Sequence, residues 1–364
     1  MPQVAINILG WNHDPHEVDA CIEAALAQDH EDFEVTFSDN GSSNGLYAHV
    51  TRKYHGRPKF RAVDNGTNLG FAGGHNVFIH NTDAEFVVVL NPDALLHTAF
   101  LKKILPAFRD QRVAAATGKM LKLSGETTLI DGTGITMNIA RAAHERGQHR
   151  PDIGQFDSSS EVFGVSGTAG VYRRSALREA SLGSTEYFDT DFFAYCEDVD
   201  LAWRLRLLGY KASYVPDAVV HHKRVVQRSV GLLRNPVQFV RMHRTHSGRR
   251  RLGWRNHLFC ILKNDYGVTF FVAMPFIAVR ELAKIFYMAV FEPRSLSEVK
   301  HVLALTPKMW RKRKLIQQNR KVSSDEVQRW FRAAMCVPYA EQRPIDHRDG
   351  HDRSQSWRKE GRVS

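Results

Sequence analysis

Three carboxylates stand within four residues at Glu197-Asp198-Val199-Asp200, directly behind the aromatic run Phe192-Phe193-Ala194-Tyr195. A carboxylate set among Phe192, Phe193 and Tyr195 is partly desolvated, which raises its affinity for a proton and suits general-base work. Asp198 and Asp200 also fall in the first turn of a short amphipathic helix that Gly209 stops, where the helix dipole favours negative charge. Asp200 can pair with Arg204 four residues on. The same residues thus fit a helix start as well as a proton acceptor, and what separates the two lies elsewhere in the chain.

A second set of polar residues gathers at the ends of apolar segments. Residues 4–9, 33–38, 60–63 and 85–90 read as buried strands. They run out into Trp11-Asn12, Asp39-Asn40-Gly41-Ser42-Ser43, Asn65 to Asn76, and Asn91-Pro92-Asp93. Asp14 as N-cap, Pro15 at the first helical position and Glu17 three residues after the cap open a helix expected to reach about Gln28. Strand alternating with helix four times predicts a doubly wound, mostly parallel α/β sheet, in which ligands bind beyond the C-terminal strand ends. Asn12, Asp39, Asn40, Asn68, Gly70, Asn91 and Asp93 all lie there. Asp93 closes the least polar strand, predicted to be central and parallel, and one carboxylate there can hold a divalent cation completed by phosphate oxygens and water. An Asn-Pro-Asp is also ordinary turn chemistry.

Further along, residues 113–123 read as a strand and residues 127–139 as a hairpin with Asp131-Gly132 at or near its turn. Residues 141–160 are polar and turn-rich, which suits a mobile loop over an acceptor site. The small residues of Ser166-Gly167-Thr168-Ala169-Gly170 would let a ligand approach the backbone. A last strand over 211–215 leads to Pro216 and the pair His221-His222.

Taken in order, these segments resemble the inverting, nucleotide-sugar-dependent glycosyltransferases of family 2, with the bacterial rhamnosyltransferase-like members nearest. The resemblance covers residues 4 to about 222 and implies a GT-A-like sheet. It implies that Asp39 contacts the nucleotide base, with Asn12, Asn40, Asn68, Gly70, Asn91 and Asp93 also assigned to the donor site. Asp93 would bind Mg2+ or Mn2+ with the donor diphosphate, and a histidine after the last strand, matched to His222 rather than His221, would join it. Asp198 would deprotonate the acceptor hydroxyl with Glu197 beside it, while Gly167, Asp200 and Trp203 are assigned to the acceptor side. Asn91, where other members carry an aspartate, removes one anionic ligand. His75 stands outside the pattern. One base and one displacement invert the anomeric centre, through a transition state of oxocarbenium character.

The 364 residues carry a net charge of +11, unevenly spread. Residues 1–222 hold 20 basic and 28 acidic side chains, and residues 223–364 hold 30 and 11. This divides the chain into a catalytic domain over 1–222, a basic amphipathic helical extension over 223–340 and a disordered polar tail over 341–364. The apolar run 268–279 is too short to span a bilayer, whereas amphipathic helices flanked by Lys and Arg suit an anionic membrane surface. A membrane-associating extension makes a lipid-linked glycan acceptor the natural partner of a nucleotide-sugar donor, with the enzyme peripheral on the cytoplasmic face. Trp254, Trp310 and Trp330 among the basic residues also raise nucleic-acid binding, but no nucleic-acid motif accompanies them. Intact Glu197-Asp198 and Asp93 argue against a non-catalytic relative. Four scattered cysteines without a CxxC pair fit a reduced compartment, and no signal peptide is visible at the N-terminus.

Overall fold

The computed structural model describes residues 2–124, 127–223 and 247–332. The polar tail from Glu341 and the start of the basic stretch at Arg241 lie outside the described residues. The first half alternates as expected through β1 (Val4–Gly10), α1 (Pro15–Leu26), β2 (Phe33–Asp39), α2 (Leu46–Lys53), β3 (Phe60–Asp64), α3 (Gly70–His80) and β4 (Phe86–Leu90). It continues with β5 (Ala94–Leu96), α4 (Phe100–Ile104), β6 (Val113–Ser124), β7 (Thr127–Gly132), β8 (Ile135–Met137) and β9 (Ala143–Glu145). Then come β10 (Ser160–Val162), β11 (Ala169–Arg173), α5 (Arg174–Glu179), α6 (Glu197–Leu207) and β12 (Lys211–His222). Among the described residues, four helices follow: α7 (Ser247–Asn264), α8 (Gly267–Phe291), α9 (Glu298–Asn319) and α10 (Ser324–Arg332).

Asp14 caps α1 by accepting from the His16 N–H at 2.8 Å. The helix stops at Leu26 rather than near Gln28, because the Gln28 carboxamide turns back to the carbonyls of Ala24 and His97. The main sheet has the order β10-β12-β6-β11-β4-β1-β2-β3. Strands β3, β2, β1 and β4 run parallel, as do β6 and β12. β4 is buried at every residue, as its unbroken apolar run requires. Only one of its neighbours is parallel, however, since β11 pairs with it antiparallel, Leu90 opposite Ala169. That reversal sets residues 166–168 beside the end of β4.

The expected hairpin over 127–139 resolves differently. β7 folds back on β6, while β8 pairs with β9 in a separate ribbon. The loop over 141–160 is tied down at its start. Arg141 is buried, its Nε 2.8 Å from Asp265 in the C-terminal helices and its guanidinium 3.8 Å over the Phe331 ring.

The C-terminal helices share a hydrophobic cluster with the sheet domain. Met137, Phe163, Phe192 and Trp203 pack with Phe259, Met309, Ile316 and Phe331. The two electrical halves of the sequence meet at this seam. Lys263 bridges Asp189 and Asp200 at 2.5 and 2.8 Å, and Lys312 reaches Glu186, Asp189 and Asp191 at 2.8, 2.5 and 2.8 Å. Buried ammonium groups with several carboxylate oxygens each are the arrangement that lets such charges leave water. α8 instead faces inward through Thr269, Ala273, Ile277, Glu281 and Met288, four or seven residues apart, and leaves a wide apolar face outside. None of the described helices is long and apolar enough to cross a membrane.

Candidate active site

The strand ends build the first pole of the site. Asp39, at the end of β2, accepts from the Ser42 N–H at 2.7 Å through Oδ2, while its buried Oδ1 has no partner. A buried acceptor without a donor is costly, and it is set to take one from a ligand. Asn12, at φ 52°, accepts from the Ser43 N–H at 2.8 Å and donates its own N–H to Ser42 Oγ at 2.9 Å, which fixes the 42–43 turn beside it. Asn40, expected to contact the donor, is 2% exposed and fully used inside the protein. It donates to Asn68 Oδ1 and the Gly70 carbonyl and accepts from Leu69 N–H and Asn65. It clamps the loop before α3 rather than meeting a ligand. Gly70 stands at φ 70° so close under Phe193 that any Cβ would collide with its carbonyl oxygen.

Asp93 forms the second pole. Its carboxylate, one third exposed, lies 3.1 Å from His222 Nε2, and His222 Nδ1 lies 2.7 Å from Asp131. Pairing of His222 with Ala94 across β12 and β5 brings the two loops together. Consecutive side chains of a strand point to opposite faces, so only one of His221 and His222 can meet Asp93. It is His222. Burial disfavours its charged form, but carboxylates on both ring nitrogens outweigh burial and lift it to about 9. Asp93 is itself lowered, burial being overcome by His222. Asp131, read from the sequence only as a turn residue, is the missed member of this set.

The third pole is the start of α6. Asp198 is half-buried; Oδ2 accepts from the Gly167 N–H at 3.0 Å and Oδ1 from the Val199 N–H at 2.8 Å. Burial raises its pKa against the pull of those two N–H groups. Glu197 is buried, raised well above the ordinary range by burial and then by Asp198, and its Oε2 has no partner. Phe193 and Tyr195 are 41% and 42% exposed, whereas Phe192 is fully buried.

Asp200 and Trp203, assigned to the acceptor side from the sequence, are corrected here. Both are fully buried. Asp200 is held by Arg204 at 3.0 Å, Lys263 and Asn264, and Trp203 packs on Phe163 and Phe331. The C-terminal helices cover the side of α6 from which both project and close it to solvent. His75 is likewise a core residue, its Nδ1 3.0 Å from Asn7 Nδ2, and burial lowers it to about 3. Glu186, Asp189 and Asp191 converge as metal ligands would, but the Lys312 ammonium already sits among them.

One chain segment joins the second and third poles. The Asn91 N–H donates to the Thr168 carbonyl at 2.9 Å, and the Gly167 N–H one residue earlier holds Asp198. The Asp93 and Asp198 carboxylates therefore flank a single strand end. Residues 11–180, which contain the strand-end loops and the Gly167 segment, match the family model described as glycosyl transferase family 2. The chain carries a family 2 glycosyltransferase domain.

This glycosyltransferase domain has relatives among characterised bacterial proteins. An N-acetylglucosaminyltransferase of Rhizobium meliloti (strain 1021) is 27% identical over 60% of this chain and 51% of its own length. An N-acetylglucosaminyl-diphospho-decaprenol L-rhamnosyltransferase of Mycobacterium tuberculosis (strain ATCC 25618 / H37Rv) is 29% identical over 52% of this chain and 66% of its own. The chain thus spans between half and two thirds of these relatives. The crystal structure of GalNAc-T7 with UDP, GalNAc and Mn2+ superimposes with a TM-score of 0.55 at 10% identity, over 72% of this chain and 48% of that one. That likeness is one of fold, and it makes the glycosyltransferase domain GT-A.

Proposed function

We propose that the chain is an inverting glycosyltransferase that moves a sugar from a nucleotide-sugar to a hydroxyl of a lipid-linked glycan acceptor. The observation that carries this reading is the Gly167 N–H on Asp198 beside the Thr168–Asn91 bond, which sets the proton acceptor next to the Asp93 loop. Asp198, fixed by two backbone N–H groups and raised by burial, takes the proton of the attacking hydroxyl. Glu197, whose charged form is disfavoured by burial and by Asp198, steadies it. Asp39 Oδ1 receives the nucleotide base, with Asn12 shaping the turn.

The donor set at Asp93 fits a divalent cation. Asp131 on Nδ1 orients His222 so that Nε2 faces Asp93, the outer-shell carboxylate that metal-binding histidines commonly have. Asp93 and His222 would hold the ion, and it would supply positive charge to the leaving diphosphate. A nitrogen ligand favours Mn2+ over Mg2+, which prefers oxygen alone.

L-Rhamnose from dTDP-rhamnose is the donor we favour, supported by the name of the mycobacterial relative. A UDP-hexose is the second reading, supported by the N-acetylglucosaminyltransferase relative. An anionic membrane on the cytoplasmic side is the proposed workplace. Ten large apolar side chains of α8, from Val268 to Val290, are more than a third exposed, among them Phe271, Val279, Leu282 and Phe286. Burial of a full side chain of this kind contributes about 2 kcal/mol, so even partial insertion of such a face is substantial. Lys312 and Arg313 do not take part, because they are bound to Asp189 and to the carbonyls of Leu262 and Asp265.

The test is nucleotide release from dTDP-rhamnose and UDP-N-acetylglucosamine, with Mn2+, against a polyprenyl-diphosphate-linked N-acetylglucosamine acceptor. dTDP release with sugar transfer is the expected result. UDP release alone would favour the second donor, and release from neither would overturn the reading.

A further inference from the structure

The exposed face of α8 has a charged border that turns inward, Lys284 standing seven residues after Ile277 and four before Met288. Phe276, Arg280 and Lys284 follow one another at four-residue spacing and form one stripe along the helix. At the Phe276 end the stripe borders a recess of about 500 Å3, lined by residues 138–140 on one side and Pro275, Phe276, Val279 and Arg280 on the other. At the other end it approaches the start of α6. The Cys196 thiol is pushed up to about 12 by burial and by Asp198 and Glu197, and Lys284 and Arg280 act on it in the opposite sense. The geometry runs through α7, where His257 lies 3.3 Å from Glu281 of α8 and the Gly253 carbonyl lies 3.9 Å from Cys196 Sγ, the residue that precedes Glu197-Asp198.

The two cations differ in bonding. Arg280 pairs with Glu281, which His257 also approaches at 3.3 Å. Lys284 is half-buried, and no hydrogen bond or ion pair reaches its ammonium from the described residues. Burial and then Arg280 make its charge unfavourable, and Glu281, already engaged by Arg280 and His257, opposes them in part. The other half-buried or buried lysines of the helical region, Lys263 and Lys312, each have two or more carboxylates. An unpaired ammonium held partly out of water is a vacancy for an anion. An apolar channel on one side and a proton acceptor on the other specify which anion fits.

We infer that Lys284, with Arg280, binds the phosphate of a lipid-linked acceptor whose hydrocarbon chain runs along the recess and the outer face of α8 into the bilayer. This rests on the acceptor reading above and adds the site that holds the acceptor. The phosphate is anchored beside Cys196, and the sugar attached to it extends over the exposed rings of Tyr195 and Phe193 toward Asp198. Apolar surface next to cations matches an amphiphile whose charge lies at the membrane boundary.

The test uses the full chain and three sets of vesicles. The first is phosphatidylcholine alone, the second adds a long-chain polyprenyl diphosphate, and the third adds phosphatidylglycerol to the same total charge. Wild type is expected to bind the diphosphate vesicles about tenfold or more tightly than the charge-matched ones, the range of a charge-assisted hydrogen bond. Lys284→Gln should lose that preference and keep nucleotide binding, and Lys284→Arg should retain it. Lys284→Gln leaves no hydrogen-bond or ion-pair partner unpaired among the described residues, so the fold is not at stake. A preference that survives in Lys284→Gln, or its absence from wild type, overturns the site. Competition by soluble inorganic pyrophosphate at equal concentration overturns the role of the chain and the recess. Donor turnover measured on the same samples separates the two readings. Turnover without diphosphate preference sinks the lipid site alone, and diphosphate preference without turnover sinks the transferase reading alone.

Discussion

The Asn256 carboxamide of α7 lies 2.8 Å from the carbonyl of Tyr195, across 61 residues of sequence. The same Nδ2 is 2.9 Å from the carbonyls of Phe192 and Ala194. Between these contacts Phe193, Tyr195 and Cys196 stand at φ 63°, 73° and 67°, a conformation that side-chain-bearing residues seldom adopt. Arg255 adds bonds to the carbonyls of Asp191 and Phe192, and Cys260 one to that of Cys196. A helix of the C-terminal extension thus holds the strained loop that delivers Glu197 and Asp198.

Asn256→Asp keeps the shape but removes the donor and sets an anion against carbonyl oxygens. It should lower kcat by about 10- to 100-fold, because a misplaced base loses orientation, with donor KM little changed. Steady-state kinetics decides it. A rise in donor KM at constant kcat would place the loop on the donor side.

Asp198→Asn retains an oxygen for the Gly167 N–H but cannot take a proton. Transfer should fall by roughly 100-fold or more with nucleotide binding intact. If a correctly folded variant keeps most of its turnover, the base is another group, with Glu197 the first candidate.

Burial raises Asp198, so its deprotonation comes above the ordinary carboxylate value of about 4. The base is active only when ionised. The acidic limb of kcat/KM should therefore rise with pH through a midpoint displaced upward, and should vanish in Asp198→Asn. A limb centred at or below the ordinary value would contradict this.

Asp93→Ala should weaken nucleotide-diphosphate binding in Mn2+ and leave metal-free binding unchanged by calorimetry. Asp131→Asn should reproduce part of that loss, about 10- to 100-fold in metal affinity, because His222 loses the group that orients it. An Asp131→Asn protein with unaltered metal affinity would make that residue purely structural.

Lys312→Gln strips the ammonium from Glu186, Asp189 and Asp191. Removing one partner of a buried ion cluster costs about 3 kcal/mol or more, so chemical denaturation should show that loss. Membrane binding should not change, since Lys312 faces the sheet domain.

Much of this protein is written locally. The Asp14 cap, the unbroken apolar run of β4, the Gly209 stop after α6 and the family 2 order of loops follow from neighbours along the chain, because capping, periodicity and turn chemistry act over a few residues. The placement of Asp39 and Asp93 at the ends of strands and of Asp198 in the first turn of a helix was legible for that reason. The central sheet's antiparallel β11, the Asp131–His222 contact across 91 residues and the Asn256 clamp were not. Asp200 shows the limit within one helix. Its pairing with Arg204 is local and was foreseen, whereas Lys263 and Asn264 bury it from 60 or more residues away and remove it from the acceptor. The charge division of the sequence was real, but charge along a chain does not say which cations face solvent. Packing decided that Lys263 and Lys312 pair with carboxylates of the sheet domain, and it left Lys284 without a hydrogen bond or ion pair among the described residues.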